Sequence, residues 1–266
     1  MIKLNGVSSN RQYYGTHLVY DYKRYVAPPN YFFVENITNE NETLSIVKLT
    51  ESSPAITIEY STDKINWSAF GDTGSTTPTY TLAPNEKLYL RASAYKWGYA
   101  SYADGNAIRG VSKVGGNIMS LLYGSSFTGE EITFPIPSGS ENPEEYIFTR
   151  LFQGNTRLKT ARELIIPATT LTPHCFHDTF NQCSNLEEAP TLPAENLVTS
   201  CYEGMFSDCS SLRYIECLAV SNMGSCTGVW MIGVPGGGVF VKNANATDWQ
   251  YGSQNGIPEG WTVQDA

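Results

Sequence analysis

Between Phe148 and Leu218 the apolar and polar positions repeat as three near copies of one pattern. The copies read LFQGNTRL from Leu151, TFNQCSNL from Thr179 and MFSDCSSL from Met205. Each is followed by a small or apolar residue three positions on (Ala161, Ala189, Ile215) and by a leucine three beyond that (Leu164, Leu192, Leu218). Phe152, Phe180 and Phe206 are spaced by 28 and then 26 residues. The links repeat as well: Pro167-Ala168 and Leu171 return as Pro193-Ala194 and Leu197, and Cys175-Phe176 returns as Cys201-Tyr202. A fixed period in the twenties, with apolar residues at fixed offsets, predicts a solenoid. One such unit cannot bury its apolar face alone, and stacking the next unit on it completes the core. The three phenylalanines are expected to form one internal column.

The earlier part of the chain has a different rhythm. From residue 30 to about 112, short runs rich in β-formers alternate with turn residues. The runs are Tyr31–Val34, Leu44–Leu49, Ile56–Tyr60, Trp67–Phe70, Tyr80–Leu82 and Leu88–Ala92. Breaks fall at Asn39–Asn41, Ser52–Pro54, Gly71–Gly74 and Pro84-Asn85. Strands at this spacing predict a small β-sandwich, immunoglobulin-like in outline, with IEYSTDKINWSAF a hairpin turning near Asp63. Residues 1–29 are an aromatic arm carrying Tyr13, Tyr14, Tyr20, Tyr22 and Tyr25. It can pair as a hairpin around Gly15 but is too short for its own core, so it must dock on its own chain or on a neighbouring subunit. The repeat is read as ending after Cys226. Residues 229–266, with the glycine-rich stretch before Val239–Val241 and with Trp230, Trp249 and Trp261 as bulk, are read as a C-terminal cap. The expected organisation is therefore mixed and β-rich: an arm (1–29), a sandwich (30–112), a leucine-rich-repeat solenoid (113–228) and a cap (229–266).

The runs MFSDCSSL, TFNQCSNL and LFQGNTRL, with IPATTL and LPAENL between them, resemble the BspA-like leucine-rich repeats of bacterial surface proteins. The tail GGVFVKNANATDWQYGSQNGIPEGWTV resembles the segment that ends many such chains, and KVGGNIMSLL resembles the entry to their repeat block. The resemblance spans roughly residues 113–266. It implies a leucine-rich-repeat fold, cysteines in core positions and a role in adhesion, and similar β modules precede the repeats in some of those proteins. The first copy departs from the pattern, with Asn155 where the others carry Cys183 and Cys209. The opening over residues 3–20 resembles the N-termini of some phage tail and structural proteins, where such arms lie against neighbouring subunits.

Composition narrows the partners. With 26 acidic against 17 basic residues the net charge is −9, which disfavours nucleic acid and anionic membrane surfaces. No apolar run reaches the length of a membrane span, and the opening Met1–Gly6 lacks the basic-then-apolar pattern of a secretory signal. All six cysteines lie between 175 and 226. Cys175/Cys201 and Cys183/Cys209 are repeat equivalents, expected as neighbours and read as buried free thiols, with a disulfide ladder as the alternative.

Catalytic chemistry finds little footing. His174, Cys175 and His177 are the one cluster of ligand types. Repeat equivalence with Ser200 and Glu203 turns the histidines outward while Cys175 points in, so neither a zinc site nor a Cys–His pair is expected. The acid pairs Glu130-Glu131, Glu144-Glu145 and Glu187-Glu188 read as solvated faces, and Gly236–Gly238 reads as a turn. Tyr95, Trp97, Tyr99 and Tyr102 are candidate glycan-stacking platforms, with packing between the two parts of the chain as the alternative. No cofactor is expected. These readings point to a non-enzymatic binding and display protein: a phage tail or fibre component presenting the repeats to a protein or glycan on a host surface. The alternatives are a bacterial surface adhesin and, more remotely, a polysaccharide-active enzyme.

Overall fold

The computed structural model describes residues 29–49, 55–73, 77–94, 97, 105–135, 146–221, 224–252 and 254–266, and the backbone of two short hairpins before them. These hairpins are β1 (Lys3–Leu4) with β2 (Val7–Ser8), and β3 (Arg11–Tyr14) with β4 (His17–Tyr20). The second pairs Tyr14 with His17, so its strands form the hairpin the sequence predicts. Tyr22 and Tyr25 lie outside the described residues.

All six runs of the earlier part form strands: β5 (Phe33–Glu35), β6 (Glu42–Lys48), β7 (Thr57–Ser61), β8 (Ser68–Asp72), β9 (Thr79–Leu82) and β10 (Lys87–Ala92). Two more follow, β11 (Asn106–Arg109) and β12 (Lys113–Asn117), and then a single helical turn at Ser120–Tyr123. The repeats supply β13 (Thr160–Ile165), β14 (Glu188–Leu192) and β15 (Tyr214–Cys217), and the tail supplies β16 (Val239–Lys242) and β17 (Thr262–Asp265). One sheet of ten strands runs in the order β17-β16-β15-β14-β13-β12-β5-β10-β7-β8, and a three-stranded sheet runs β11-β6-β9. From β12 to β17 all neighbours are parallel, and from β12 through β5 to β8 they are antiparallel. The ten-stranded sheet therefore crosses residue 112 without a break. Buried side chains from Tyr31 to Trp261 form one continuous core.

The C-terminal part is a β-solenoid of about four turns. Each coil contributes one parallel strand and, opposite it, a ladder of tight turns. In the ladder the backbone amides alternate between two partners. Phe176, Asp178, Phe180 and Gln182 donate to carbonyls of the next coil, at Cys201, Glu203, Met205 and Ser207. The residues between them donate to the carbonyl three positions back within the same coil. Bending the chain this way forces every fourth residue into the left-handed region, and most of these positions are not glycine: His174 (φ 57°), Asp178 (54°) and Gln182 (61°) in one coil, Ser200 (51°) and Asp208 (60°) in the next. Each costs on the order of 1 kcal/mol, which the pairing of every amide offsets.

The expected column exists. The Phe152 and Phe180 rings stack at 5.0 Å between centroids, and Phe180 and Phe206 at 5.5 Å. Phe32 of the earlier part lies 6.0 Å from Phe152, extending the column towards the N-terminus. A second column runs Phe148–Phe176–Tyr202, with centroids 5.6 and 6.1 Å apart.

One expectation changes here. The repeat does not end at Cys226: Phe206 donates to the Trp230 carbonyl just as Phe180 donates to that of Met205. Residues after 226 therefore form another turn, and β16 and β17 extend the same parallel sheet. Trp230, Trp249 and Trp261 do supply buried bulk, with Trp230 and Trp249 stacked at 5.4 Å.

Candidate binding cleft

The nucleophiles are buried. All six cysteines are free and buried. The Cys183 thiol donates to the Phe152 carbonyl at 3.1 Å, and that of Cys209 to the Phe180 carbonyl at 3.0 Å. Burial pushes the Cys183 thiol up to about 12 and that of Cys209 well above its ordinary value. Thiols held neutral in this way do not attack substrates.

His177, expected to point outward, is only 8% exposed. The reason is the coil spacing. Equivalent side chains on neighbouring coils sit about 5 Å apart, so even outward-facing ones cover each other. Tyr146 and His174 stack at 4.8 Å, and His177 lies 3.4 Å from Asp178 and 4.0 Å from Glu203. Among the described residues no group of three or more His, Cys, Asp or Glu is placed to hold a metal ion.

Of the stacking candidates, Trp97 is wholly buried. Its indole nitrogen donates to the Leu121 carbonyl at 2.9 Å and its backbone amide to that of Ile147 at 2.6 Å. It packs between the two parts of the chain and offers no ring face to a sugar. Tyr95, Tyr99 and Tyr102 lie outside the described residues, as do Glu144 and Glu145. Glu131 accepts from the Thr128 and Gly129 amides and organises its own loop, and Glu188 pairs with Thr160 and Arg162 on the sheet face.

That face carries the strongest candidate, a cleft of about 510 Å³ lined by Asn30, Phe33, Lys64, Lys87, Tyr89, Gly116, Arg162, Glu163 and Ile165. Its residues come from the segment leading into β5, β5 itself, the β7–β8 turn, β10, β12 and β13, which the strand order brings onto one face. The floor requires glycine. A Cβ on Gly115 would lie 2.3 Å from the Phe33 ring, and one on Gly116, at φ 72°, would lie 2.0 Å from the Tyr31 carbonyl oxygen.

The cations around the cleft differ in how they are compensated. Lys87 sits 4.0 Å above the Phe33 ring and 3.3 Å from Glu35. Lys113 lies 3.1 Å from Glu35 and 2.6 Å from Glu163; burial opposes its charge, but the two carboxylates outweigh burial and hold its pKa above the ordinary lysine value. Arg162 lies 3.7 Å from Glu188 and 4.2 Å over the Tyr214 ring. Lys64 stands apart. It occupies a left-handed turn position (φ 64°), its ammonium lies 4.6 Å over the Tyr89 ring, and no ion pair joins it to a carboxylate among the described residues. Burial, and then repulsion from Lys87, lower its pKa.

The lining residues of this cleft were not singled out from the sequence. The available signal was a break in the repeat. Leu164 and Leu192 are 28 apart, but Ala168 and Ala194 are 26 apart. The two extra residues are Ile165-Ile166, and the first of them lines the cleft. Set beside family models, curated proteins and solved structures, the chain matches none.

Proposed function

We propose that this protein is a non-enzymatic binding and display module. In this reading the coils are leucine-rich repeats of the BspA-like kind, the strands of residues 30–112 form a sandwich of immunoglobulin outline, and the whole is a phage tail or fibre component that meets a host surface. The observation that carries the reading is the sheet face: the first three coils contribute charged or aromatic side chains (Arg162, Glu188, Tyr214, Glu216) to one continuous outward-facing surface on a stacked core. Buried thiols and self-satisfied acid pairs support a binding role over a catalytic one. The aromatic arm is assigned the attachment to neighbouring subunits, through Tyr13, Tyr14, Tyr20, Tyr22 and Tyr25.

A bacterial surface adhesin is the second reading, favoured by the repeat resemblance alone. Antibodies against the chain separate the two: labelling of purified virions supports the first, and labelling of cell envelopes in particle-free cultures supports the second. Hydrolysis of a polysaccharide panel by the purified chain would overturn both.

A further inference from the structure

We propose that the sheet face from β10 across β12 to β13 binds an acidic polysaccharide, with Lys64 and Arg162 taking separate carboxylate or sulfate groups along one chain. The proposal rests on the display reading above and names its ligand class and its site.

Three independent features converge there. The first is charge. In a chain of net charge −9, four cations at the cleft (Lys64, Lys87, Lys113, Arg162) face three carboxylates (Glu35, Glu163, Glu188), which leaves a positive excess at Lys64. A cationic hollow in an acidic molecule concentrates anions locally. Lys64 is the cation with charge to spare, since the neighbouring lysines are joined to Glu35 and Glu163. An incoming anion would relieve the repulsion between Lys64 and Lys87.

The second feature is the departure from regularity. The Ile165-Ile166 insertion lengthens β13 to six residues, against five in β14 and four in β15. It places Ile165, 43% exposed, in the lining of the cleft. An exposed isoleucine on a wall of charges gives the C–H face of a sugar ring an apolar surface, while the cations take its acid group. Local rules broken without a structural gain mark functional positions.

The third is shape. The cleft lies along a sheet whose outward polar and aromatic side chains continue through Arg162, Glu188 and Tyr214. An extended polymer fits such a surface better than a small molecule that must be enclosed.

The test uses the full chain and isothermal titration. The probes are oligogalacturonate, chondroitin sulfate, methyl-esterified oligogalacturonate, and an oligothymidylate of equal charge. The expected result is salt-dependent binding of at least one acidic sugar and none of the ester. The variant Lys64→Gln/Arg162→Gln weakens it about tenfold or more. Arg157→Gln, which removes an exposed charge elsewhere, leaves it unchanged, and all variants melt at the wild-type temperature. The two acidic sugars decide between carboxylate and sulfate. The proposal falls if neither acidic sugar binds, if the ester or the oligothymidylate binds equally, or if the double variant binds like wild type. Binding to intact bacterial cells is measured alongside. Cells bound without any acidic-sugar affinity remove this site and leave the display reading standing; no binding to either removes both.

Discussion

Asn155 stands where the next two coils carry Cys183 and Cys209, and its surroundings explain the change. A cysteine in those later coils donates to a carbonyl of the preceding coil. Before the first coil there is only the loop after β11, which offers both a donor and an acceptor. Asn155 satisfies both, accepting from the Gly110 amide and donating to the Val111 carbonyl, each at 3.1 Å. Replacing it by the repeat residue, Asn155→Cys, is expected to cost about 1–3 kcal/mol in urea denaturation, because two backbone groups lose their partners. The exception was visible in the sequence. Its cause was not, since the partners lie more than forty residues away. The thiols have a consequence at the same scale. Burial raises Cys175, Cys183 and Cys217 from 9.0 to about 12. Below pH 9 both folded and unfolded chains keep these protons, so this contribution to stability is complete. As pH rises from 9 towards 12 the unfolded chain releases them first, and stability falls by up to about 1.4 kcal/mol per pH unit for each thiol. Cys183→Ala is expected to make that alkaline slope shallower by about one proton, and a slope unchanged from wild type would contradict the burial argument.

At the scale of the element, the period, the phenylalanine column and the six early strands were legible, because each rests on local periodicity. The last turn was missed for a specific reason. In the third coil Met205 precedes Phe206; in the fourth the bulk is exchanged, with Trp230 in the methionine position and Met231 in the aromatic one. A motif read column by column fails there, although the paired volume is similar. Trp230 still closes the column, its ring 6.0 Å from Phe206 and 6.1 Å from Phe240. Trp230→Ala is expected to cost about 3–5 kcal/mol in chemical denaturation, and a near-neutral result would mean that the tail is a detachable cover. The cleft was illegible for the opposite reason. Its residues lie on strands far apart in sequence, made adjacent by a non-sequential strand order that no local pattern encodes.

At the scale of the molecule, the strands of residues 30–112 and the solenoid, read from the sequence as separate parts, meet in one sheet. β5, from the earlier part, lies between β12 and β10, and Phe32 caps the solenoid column. The earlier part thus occupies the place of a preceding coil and shields the first one, a role that solenoid ends require. Tryptophan fluorescence, which reports both parts through Trp67, Trp97, Trp230, Trp249 and Trp261, is expected to coincide with far-ultraviolet circular dichroism in a single urea transition. Two separated transitions would mean that the parts fold as independent modules.

The turn ladder bears on timing as well as on form. Every amide from His174 to Cys183 is engaged, alternately along the axis and back within the coil, so a stretch that would be drawn as loop is as closed to solvent deuterium as any strand. Protons there leave only when a neighbouring coil lifts away. Isotope uptake should then advance coil by coil from the tail inward, making the order of labelling a record of how the stack comes apart.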